Sequence, residues 1–553
     1  MDIQKNIPAV SRINPPVVSI VLNAHTPFLG LIKQSKNAAE NTYLEHCFFN
    51  AVSETYIPLL AMFDRLDRDR VPFRMGICLS PVLCRMLCDE ALIKRYLEYT
   101  DKQIEFAFKE LKNSREDEKL REPVKYFYDQ IVEKRILFTE RYDTDIVKVF
   151  DNYQQKGRLE LLGTAATHAF LPFYVSYPEA IQAEIETAMG AYRSYFGRYP
   201  LGFWLPEFGW TGELDSWLRS YNAVYTMVDT HGLVLSRPEA EKGAFYPAIT
   251  PSGVFILGRD FYAGEDIESL SVDPVYRDNR KDMGFELSTE KLSAFLDEEG
   301  GRSETGFKCW NWGGGIYDPL SAASRAEEHA ELFLKNSACR LEPVAARLNA
   351  PPVCLCAFEA DTFGRRWYEG PHFLETLFRK AAGHDGSRAG SAEIQFMSPA
   401  DYLFRLDSRS FQKVIPEFSS SGENGYAETW VDSSSSWMYC HTMRALERMT
   451  EISERFSDNS GLKERVLNQA AREILLLLSS DWPKMLYRQE CTEYARNQIE
   501  SYLRNFTTIY EALGSNCIST EWLTLLERKH NIFPQINYRV FRQKKGQTGK
   551  FVP

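Results

Sequence analysis

A carboxylate flanked by aromatic rings is the first group in this sequence that suggests a specific chemistry. Glu207 follows the apolar run 202–205 and stands among Trp204, Phe208 and Trp210. Sugar rings stack on aromatic faces, and cleavage of a glycosidic bond uses carboxylates on both sides of that bond. The segment therefore predicts either a structural anchor or a carbohydrate site in which Glu207 is one of two acids.

Other polar residues follow apolar segments that are typical of buried strands. Such segments occur at 17–22, 73–79, 158–163, 223–228, 255–257 and 352–358. The polar residues that come directly after them include His25, His168, Asp229, His231, Arg259, Glu359 and Asp361. Because helical patterns separate the strands, their carboxyl ends should meet at one face of an α/β barrel, where such barrels hold their active sites.

The composition excludes some classes of partner. The chain has 553 residues, a net charge of -11 and a sequence pI near 5.5, which argue against nucleic acid and anionic membranes. The 13% share of aromatic residues is high and suits carbohydrate stacking. We see no signal peptide and no apolar run long enough to span a bilayer, so we expect a cytoplasmic protein, a monomer or small homo-oligomer.

The 11 cysteines lack the spacing of a zinc site, and buried free thiols are expected. The Gly313-Gly314-Gly315 triplet lacks the strand and helix context of a nucleotide loop and predicts a turn. The sequence thus predicts neither a metal nor a cofactor.

Changes of pattern along the chain predict its organisation. We expect a leader at 1–15, an α/β barrel at 16–407, a helical domain at 408–541 and a basic tail at 542–553. Within the barrel, 101–155 reads as a set of charged surface helices, and 262–283 as a polar surface excursion near the site. In the helical domain we expect helices at 434–457, 461–480 and 488–513, with a break at Asp481-Trp482-Pro483.

Several longer motifs occur in a fixed order along the chain: Gly163-Thr164-Ala165-Ala166-Thr167-His168, Phe203-Trp204-Leu205-Pro206-Glu207, Val228-Asp229-Thr230-His231-Gly232, Trp367-Tyr368-Glu369-Gly370-Pro371, Gln469-Ala470-Ala471-Arg472-Glu473 and Ser480-Asp481-Trp482-Pro483. Together they resemble glycoside hydrolase family 57, most closely its α-1,4-glucan branching enzyme branch. The resemblance covers nearly the whole chain, from about Val17 to Phe541.

This resemblance implies a distorted (β/α)7 barrel with inserted helical segments and a C-terminal all-helical domain. It implies a retaining mechanism without a metal, with Glu207 as nucleophile and Glu359 at the position of the general acid/base. The substrate, an α-1,4-glucan, would be held by residues of the same cleft. These are His25, His168, Trp204, Trp210, Asp229, His231, Arg259, Trp310, Asp361, Trp430, Asp481 and Trp482.

The chain departs from the family pattern close to the predicted acid. The family normally has Asp where Glu359 stands, commonly His where Asn23 stands, and commonly His-Trp where Arg365-Arg366 stand. One added methylene moves a carboxyl group by about 1 Å, and a misplacement of that size can cost roughly a hundredfold in rate. Arginines beside the acid would also favour its ionised form.

These observations leave several hypotheses open. The first is a branching enzyme, with an α-amylase or 4-α-glucanotransferase as close variants. The second is a glucan-binding protein of the same fold without catalysis, and the third is a metal-dependent, deacetylase-like barrel. For single residues the structural alternatives are that Asp229 caps a helix, that Asp361 binds Arg365, and that Asp481 and Trp482 seat the helical domain on the barrel.

Overall fold

The computed structural model describes residues 15–30, 38–113, 118–292, 295–296, 301–348, 350–383, 394–456 and 460–543. Apart from residue 15, the predicted leader lies outside these ranges. The predicted tail lies outside them apart from residues 542 and 543.

A curled, mostly parallel sheet forms the centre of the fold. Its strands are β1 Val17–Ala24, β2 Met75–Leu79, β3 Leu159–Thr164, β4 Gly202–Trp204, β5 Tyr225–Val228, β6 Ala248–Ile249, β7 Phe255–Gly258, β8 Val353–Glu359 and β9 Gln395–Phe396. Their order is β6-β7-β5-β4-β3-β2-β1-β8, and β9 pairs with β1. The pairs along this order are parallel except β6 with β7.

One further bridge brings the two ends of the sheet together. Arg259, just after β7, pairs with Leu355 of β8, and the Asp260 amide donates to the Leu355 carbonyl over 2.9 Å. The path from β7 through β5, β4, β3, β2 and β1 to β8 therefore curls into a distorted barrel of seven strands. Each of these strands gives side chains to one buried apolar cluster in the barrel interior. The fold class expected from the sequence is confirmed.

Helices surround this barrel and continue beyond it. They are α1 Ala38–Ala51, α2 Ile57–Arg68, α3 Pro81–Leu87, α4 Glu90–Asn113, α5 Glu118–Ile136, α6 Ile146–Gln155, α7 Pro178–Phe196, α8 Leu214–Ser220, α9 Thr230–Val234, α10 Phe261–Leu270, α11 Met283–Glu286, α12 Pro319–Leu348, α13 Gly370–Ala381, α14 Pro399–Arg405, α15 Ser436–Arg455, α16 Leu462–Leu477, α17 Asp481–Arg488, α18 Thr492–Ser515 and α19 Thr520–Lys529. Two π-helical segments, Val52–Tyr56 and Leu137–Arg141, follow α1 and α5.

The helical run does break next to Asp481-Trp482-Pro483, but at 478–480, and a helix not predicted from the sequence, α17, begins at Asp481. Pro483 lies in the first turn of α17. The backbone N–H groups of a first helical turn have no partner within the helix, so a proline is tolerated at this point. This helix proves central to the site described below.

The prediction of a polar surface excursion at 262–283 is also wrong in its second half. Tyr276, Arg277 and Asp282 are fully buried. Arg277 can be buried because its charge is paired: the guanidinium donates to both oxygens of Glu54, over 2.7 and 2.8 Å. The segment 101–155 is likewise more than a surface layer, since Phe106 and Phe127 lie in the core.

The boundary predicted at 407/408 stays a prediction. Beyond it, Lys413, Ile415 and Ser419 each pair with backbone of the barrel half. All 11 cysteines are free, but only five are buried and four are exposed, so burial was overpredicted. Of the helices that the structure describes, none combines the length and apolar character needed to cross a bilayer.

Candidate active site

The carboxyl ends of four barrel strands bring the central residues of the site together. Asn23 lies near the end of β1 and is in register with Glu359 at the end of β8. His168 follows β3, and Glu207 follows β4, which pairs with β3. The parallel pairing therefore explains why residues from distant parts of the sequence meet at one edge of the barrel, as predicted.

Glu207 is held in an unusual backbone conformation. It lies in the single turn Pro206–Phe208 with a φ of 55° and a ψ of 24°, in the left-handed region that non-glycine residues rarely adopt. The Ser421 amide and hydroxyl both donate to the Glu207 carbonyl, over 2.7 and 2.9 Å. A conformation of this kind costs about 1–3 kcal/mol and is found preferentially at functional sites.

The carboxylate of Glu207 forms an ion pair with a lysine that sequence reasoning missed. Lys484 of α17 places its Nζ 3.1 Å from Oε1 and 3.4 Å from Oε2. The Ser480 hydroxyl donates to Oε1 over 3.4 Å. Burial alone would lower the pKa of Lys484, but the carboxylates of Glu207 and Glu359 outweigh it and raise this pKa. The lysine is therefore a permanent positive charge beside the predicted nucleophile.

Glu359 is held by Asn23 rather than by a histidine. The Asn23 amide nitrogen lies 3.2 Å from both carboxyl oxygens of Glu359 and also 3.2 Å from His168 Nε2. Burial raises the pKa of Glu359, and the charge of Glu207 adds to that rise, while Lys484 and the bond to Asn23 oppose it. A raised pKa keeps a carboxyl group protonated closer to neutral pH, as a general acid requires.

Two histidines stack beside these acids. The rings of His25 and His168 are 4.1 Å apart between centroids and nearly parallel. His25 contacts the Ser80 hydroxyl over 2.9 Å and an Asp481 oxygen over 3.0 Å. Burial, and to a lesser degree the charge of His25, hold the pKa of His168 well below its usual value, so His168 is neutral. His25 thus links the barrel to α17, and His168 contacts the Ser480 hydroxyl directly before that helix over 3.2 Å.

Asp481 anchors α17 to the barrel as an ionised group. Burial alone would raise the pKa of Asp481, but its contact with His25 lowers this pKa to about 2. The Ser479 hydroxyl also donates to its carboxylate, over 2.6 Å. Trp482 is fully buried and its indole N–H donates to the Leu476 carbonyl over 2.7 Å. Asp481 thus contacts residues of the site, whereas Trp482 holds α17 in place by packing.

A cavity of about 200 Å³ connects these groups. Glu207, Glu359, His25, His168, Asp361, Asp481 and Lys484 all line it. This volume is below the roughly 300–1,000 Å³ typical of small-molecule pockets. The cavity in this conformation is therefore narrow and rich in charge, with Arg365 and Arg366 on the wall next to Glu359.

Asp361 uses its carboxylate to hold Arg365. The Arg365 Nε donates to Asp361 over 2.8 Å, and the Arg365 amide donates to the Thr55 hydroxyl over 3.1 Å. The alternative that Asp361 binds Arg365 is confirmed. Within the described ranges, no group of three or more His, Cys, Asp or Glu side chains could hold a metal ion, so the metal-dependent hypothesis lacks a ligand set there.

Asp229, His231 and Arg259 form a separate cluster after β5 and β7. Asp229 lies 3.2 Å from Arg259 and 3.7 Å from His231, and it caps α9 by accepting from the Thr230 amide over 2.7 Å. Burial would raise the pKa of Asp229, but His231 and Arg259 lower it. None of the three belongs to the lining of the 200 Å³ cavity. Helix capping is thus observed, and substrate contact stays a prediction.

The predicted tryptophans do not line this cavity either. Trp204 and Trp210 are fully buried, as is Trp430, which stacks on Phe170 at 5.1 Å. Trp310 is half-buried, with the Lys281 ammonium 4.8 Å from its ring. Because protein covers the faces of the three buried rings, this conformation gives them a packing role. Sugar stacking by any of the four stays a prediction.

Comparison with known proteins places this geometry in a family. Residues 19–415 match the profile of Glycosyl hydrolase family 57, and residues 441–541 match that of the 1,4-alpha-glucan branching enzyme C-terminal region. A 1,4-alpha-glucan branching enzyme from Thermococcus kodakarensis is 26% identical over 524 residues, which cover 88% of this chain and 72% of that protein.

Solved structures show the same fold. The alpha-amylase AmyC from Thermotoga maritima is 30% identical with a TM-score of 0.86, covering 96% of this chain and 99% of that one. A family 57 branching enzyme from Pyrococcus horikoshii is 23% identical with a TM-score of 0.84, covering 97% and 99%. The similarity thus spans the barrel and the C-terminal helices together.

Proposed function

Because the chain belongs to glycoside hydrolase family 57, we propose that it is a retaining enzyme that acts on α-1,4-glucans and forms branches in them. The observation that carries this proposal is the convergence of Glu207 and Glu359 on one cavity at the carboxyl edge of the barrel. The curated relative and the C-terminal profile, both named for 1,4-alpha-glucan branching enzymes, support branching as the reaction. The net charge of -11 suits a neutral polymer as partner and not nucleic acid.

In the proposed reaction, an oxygen of Glu207 bonds to the anomeric carbon while the bond from that carbon to the leaving O4 breaks. Glu359 gives its proton to O4. A 6-hydroxyl of a glucan chain then attacks the anomeric carbon, Glu359 takes the hydroxyl proton, and Glu207 is released. The raised pKa of Glu359, caused first by burial, supports its role as the acid in the first half.

A second candidate is a glucan-binding protein of the same fold without catalysis. Both oxygens of Glu207 lie within 3.4 Å of Lys484, and both oxygens of Glu359 lie 3.2 Å from Asn23. Attack on a sugar requires Lys484 to leave room beside Glu207. Hydrolysis in place of transfer is a third outcome of the same chemistry, and the 30% identity to an alpha-amylase favours including it in the test.

The experiment is incubation of the purified protein with amylose, followed by enzymatic debranching and measurement of chain lengths. Branching predicts new α-1,6 linkages from the native protein and none from Glu207→Gln, because loss of a nucleophile costs on the order of 10⁴-fold or more. Accumulation of short linear sugars instead would assign hydrolysis. Amylose binding by the native protein without any product would overturn the enzymatic proposal and leave the second candidate.

A further inference from the structure

A second cavity, larger than the one at Glu207, lies between α2, α5, α12 and α13. Its volume is about 290 Å³, and none of its lining residues lines the first cavity. The catalytic proposal makes no use of it. Its walls combine tyrosine rings, acidic groups and one lysine.

Three tyrosines form the aromatic wall of this second cavity. Tyr126, Tyr317 and Tyr368 pack around Phe127, with ring centroids 5.2 to 5.8 Å from that of Phe127. Tyr126 and Tyr368 are half-buried and so keep part of their surface free. Rings fixed in this way lose little freedom when a flat, weakly polar ligand packs on them.

Glu369 holds the inner end of this aromatic wall. It is only 5% exposed, and its Oε1 accepts from the Arg277 amide over 3.2 Å. Burial raises the pKa of Glu369, while a hydrogen bond from the Tyr317 hydroxyl opposes that rise. Bonds within the protein therefore fix the wall before any ligand binds.

The charges around the cavity nearly cancel. Glu54 is neutralised by Arg277, and the Arg65 guanidinium lies 2.7 Å from Glu375. The remaining lysine, Lys134, stands next to the acidic Glu133 and Glu369 on the same lining. Neither a strongly anionic nor a strongly cationic ligand is favoured by this balance. An uncharged ligand with apolar ring faces and many hydroxyl groups fits both the rings and this charge balance.

Two stretches of the chain give some residues to the first cavity and others to the second. Ala51 lines the first cavity and Thr55 bonds to Arg365 there, whereas Glu54, Ile57 and Pro58 face the second. After β8, the chain likewise gives Asp361 and Arg365 to the first cavity and Tyr368 and Glu369 to the second. The π-helical turn Val52–Tyr56 lies where this stretch passes from one cavity to the other, and such turns occur frequently at functional sites.

We propose that this second cavity is a carbohydrate subsite that binds a glucosyl unit of an α-1,4-glucan outside the catalytic cavity. The inference rests on the proposed glucan specificity but not on catalysis. A polymer engages both cavities, on one chain or on neighbouring chains, so the subsite raises retention of long glucans. Short oligosaccharides that fill only the catalytic cavity gain nothing from it.

The test blocks the cavity from a small lining residue. Ala323 on α12 lines the cavity, whereas the next residue, Ser324, is exposed and does not. Ala323→Trp should fill the space and weaken retention of the protein in a native gel that contains amylopectin by about tenfold. Ser324→Trp, the matched control, should be retained like the native protein.

Hydrogen exchange then locates the contact. With soluble long-chain amylose and the Glu207→Gln protein, α5 should gain protection, and Ala323→Trp should remove that gain. Tyr126→Leu removes a half-buried ring from the cavity wall and should weaken retention several-fold. It remains informative even if the tryptophan disturbs the fold.

The outcomes separate this subsite from the catalytic proposal. Protection confined to the lining of the first cavity, or equal retention of Ala323→Trp and the native protein, would overturn the subsite. A native protein that makes no product but loses retention in Ala323→Trp would support the subsite and contradict catalysis. Branching activity together with equal retention of Ala323→Trp and the native protein would support catalysis and contradict the subsite.

Discussion

Two buried ion pairs in this molecule look alike in composition and differ in what they can do. Glu54 and Arg277 form two parallel bonds of 2.7 and 2.8 Å, and the arginine side chain is fully covered. Glu207 and Lys484 lie 3.1 Å apart at the edge of a cavity, and the lysine side chain is 26% exposed. The arginine of the first pair is sealed from solvent, whereas the lysine of the second can move toward a ligand.

The side chains themselves explain this difference. A guanidinium fits a carboxylate with two fixed bonds and stays charged, whereas an ammonium is a point charge on a flexible stem. The first pair also lies under Tyr368, whose ring centre is 4.2 Å from the Arg277 guanidinium carbon. We infer that Glu54–Arg277 holds the framework between the two cavities, and that Glu207–Lys484 sets the charge within one of them.

Breaking the sealed pair should give the largest effect. Arg277→Met leaves the Glu54 carboxylate buried without a partner, and we expect a loss of about 3–5 kcal/mol in the free energy of unfolding. Denaturant unfolding at neutral pH measures this loss in the free energy of unfolding. Arg280→Met, which removes an exposed guanidinium three residues away, should change this free energy by less than about 0.5 kcal/mol. Equal losses in the two variants would contradict a special role for the buried pair.

The sequence predicted the residues around Glu207 better than it predicted the buried pair Glu54–Arg277. His25, His168, Glu207 and Glu359 were expected at one barrel edge, because each follows an apolar strand and parallel strands end together. Lys484 was missed, since it lies 277 residues after Glu207 and directly follows the three residues predicted as a break. Yet it stands one helical turn after Asp481, so the two share a face of α17, and this spacing could have identified it.

The buried pair was missed for a related reason. Charged side chains are almost never fully buried unless they are paired, so the polar sequence around Arg277 predicts a surface position. Its partner, Glu54, is 223 residues distant in the sequence, and no local pattern joins the two. Strand periodicity is a local signal, whereas a charge pair between distant segments becomes visible only in three dimensions.

The next effect concerns Glu359, the proposed general acid in the first cavity. Asp is the usual residue at this position in the family, but Asn23 here bonds both oxygens of the longer side chain. Glu359→Asp draws the carboxyl back by about 1 Å, and we expect up to roughly a hundredfold loss of transfer rate. Adding Asn23→His to the Glu359→Asp variant should recover part of the lost rate. The imidazole side chain is longer than that of asparagine and reaches the shorter acid.

A double-mutant cycle over these two positions checks this expectation. A coupling energy on the order of 1 kcal/mol between them would show that Asn23 and Glu359 act as a unit. Glu359→Asp alone being faster than the native protein would contradict it. That result would mean that the extra methylene misplaces the acid.

A smaller effect is expected where α17 is fixed to the barrel. The pKa of Asp481 is lowered to about 2 by its contact with His25, against 3.8 for a free aspartate, despite the opposing effect of burial. Its ionised form thus adds about 2 kcal/mol of stability above pH 4, which is lost as the pH falls toward 2. Asp481→Asn should remove this acid-dependent part, measured by unfolding at pH 7 and pH 3. The same loss at both values would contradict it.

The last and smallest effect tests the open pair itself. Lys484 holds down the pKa of Glu359, which burial otherwise raises. Lys484→Met should therefore raise that pKa further. A general acid works in its protonated form, so the alkaline limb of kcat/KM against pH should move to higher pH, by about one unit. Rates of transfer from maltoheptaose over a pH series measure the limb.

Arg488→Met is the matched control. It removes one positive charge from the same cavity lining, but Arg488 does not bond Glu207. Its alkaline limb should move less than that of Lys484→Met. Unfolding should separate the open pair from the sealed one, since the Ser480 and Ser421 hydroxyls still donate to the Glu207 carboxylate, over 3.4 and 3.5 Å, when Lys484 is replaced. A stability loss as large as that of Arg277→Met, with an unmoved limb, would show that Lys484 too is a framework residue.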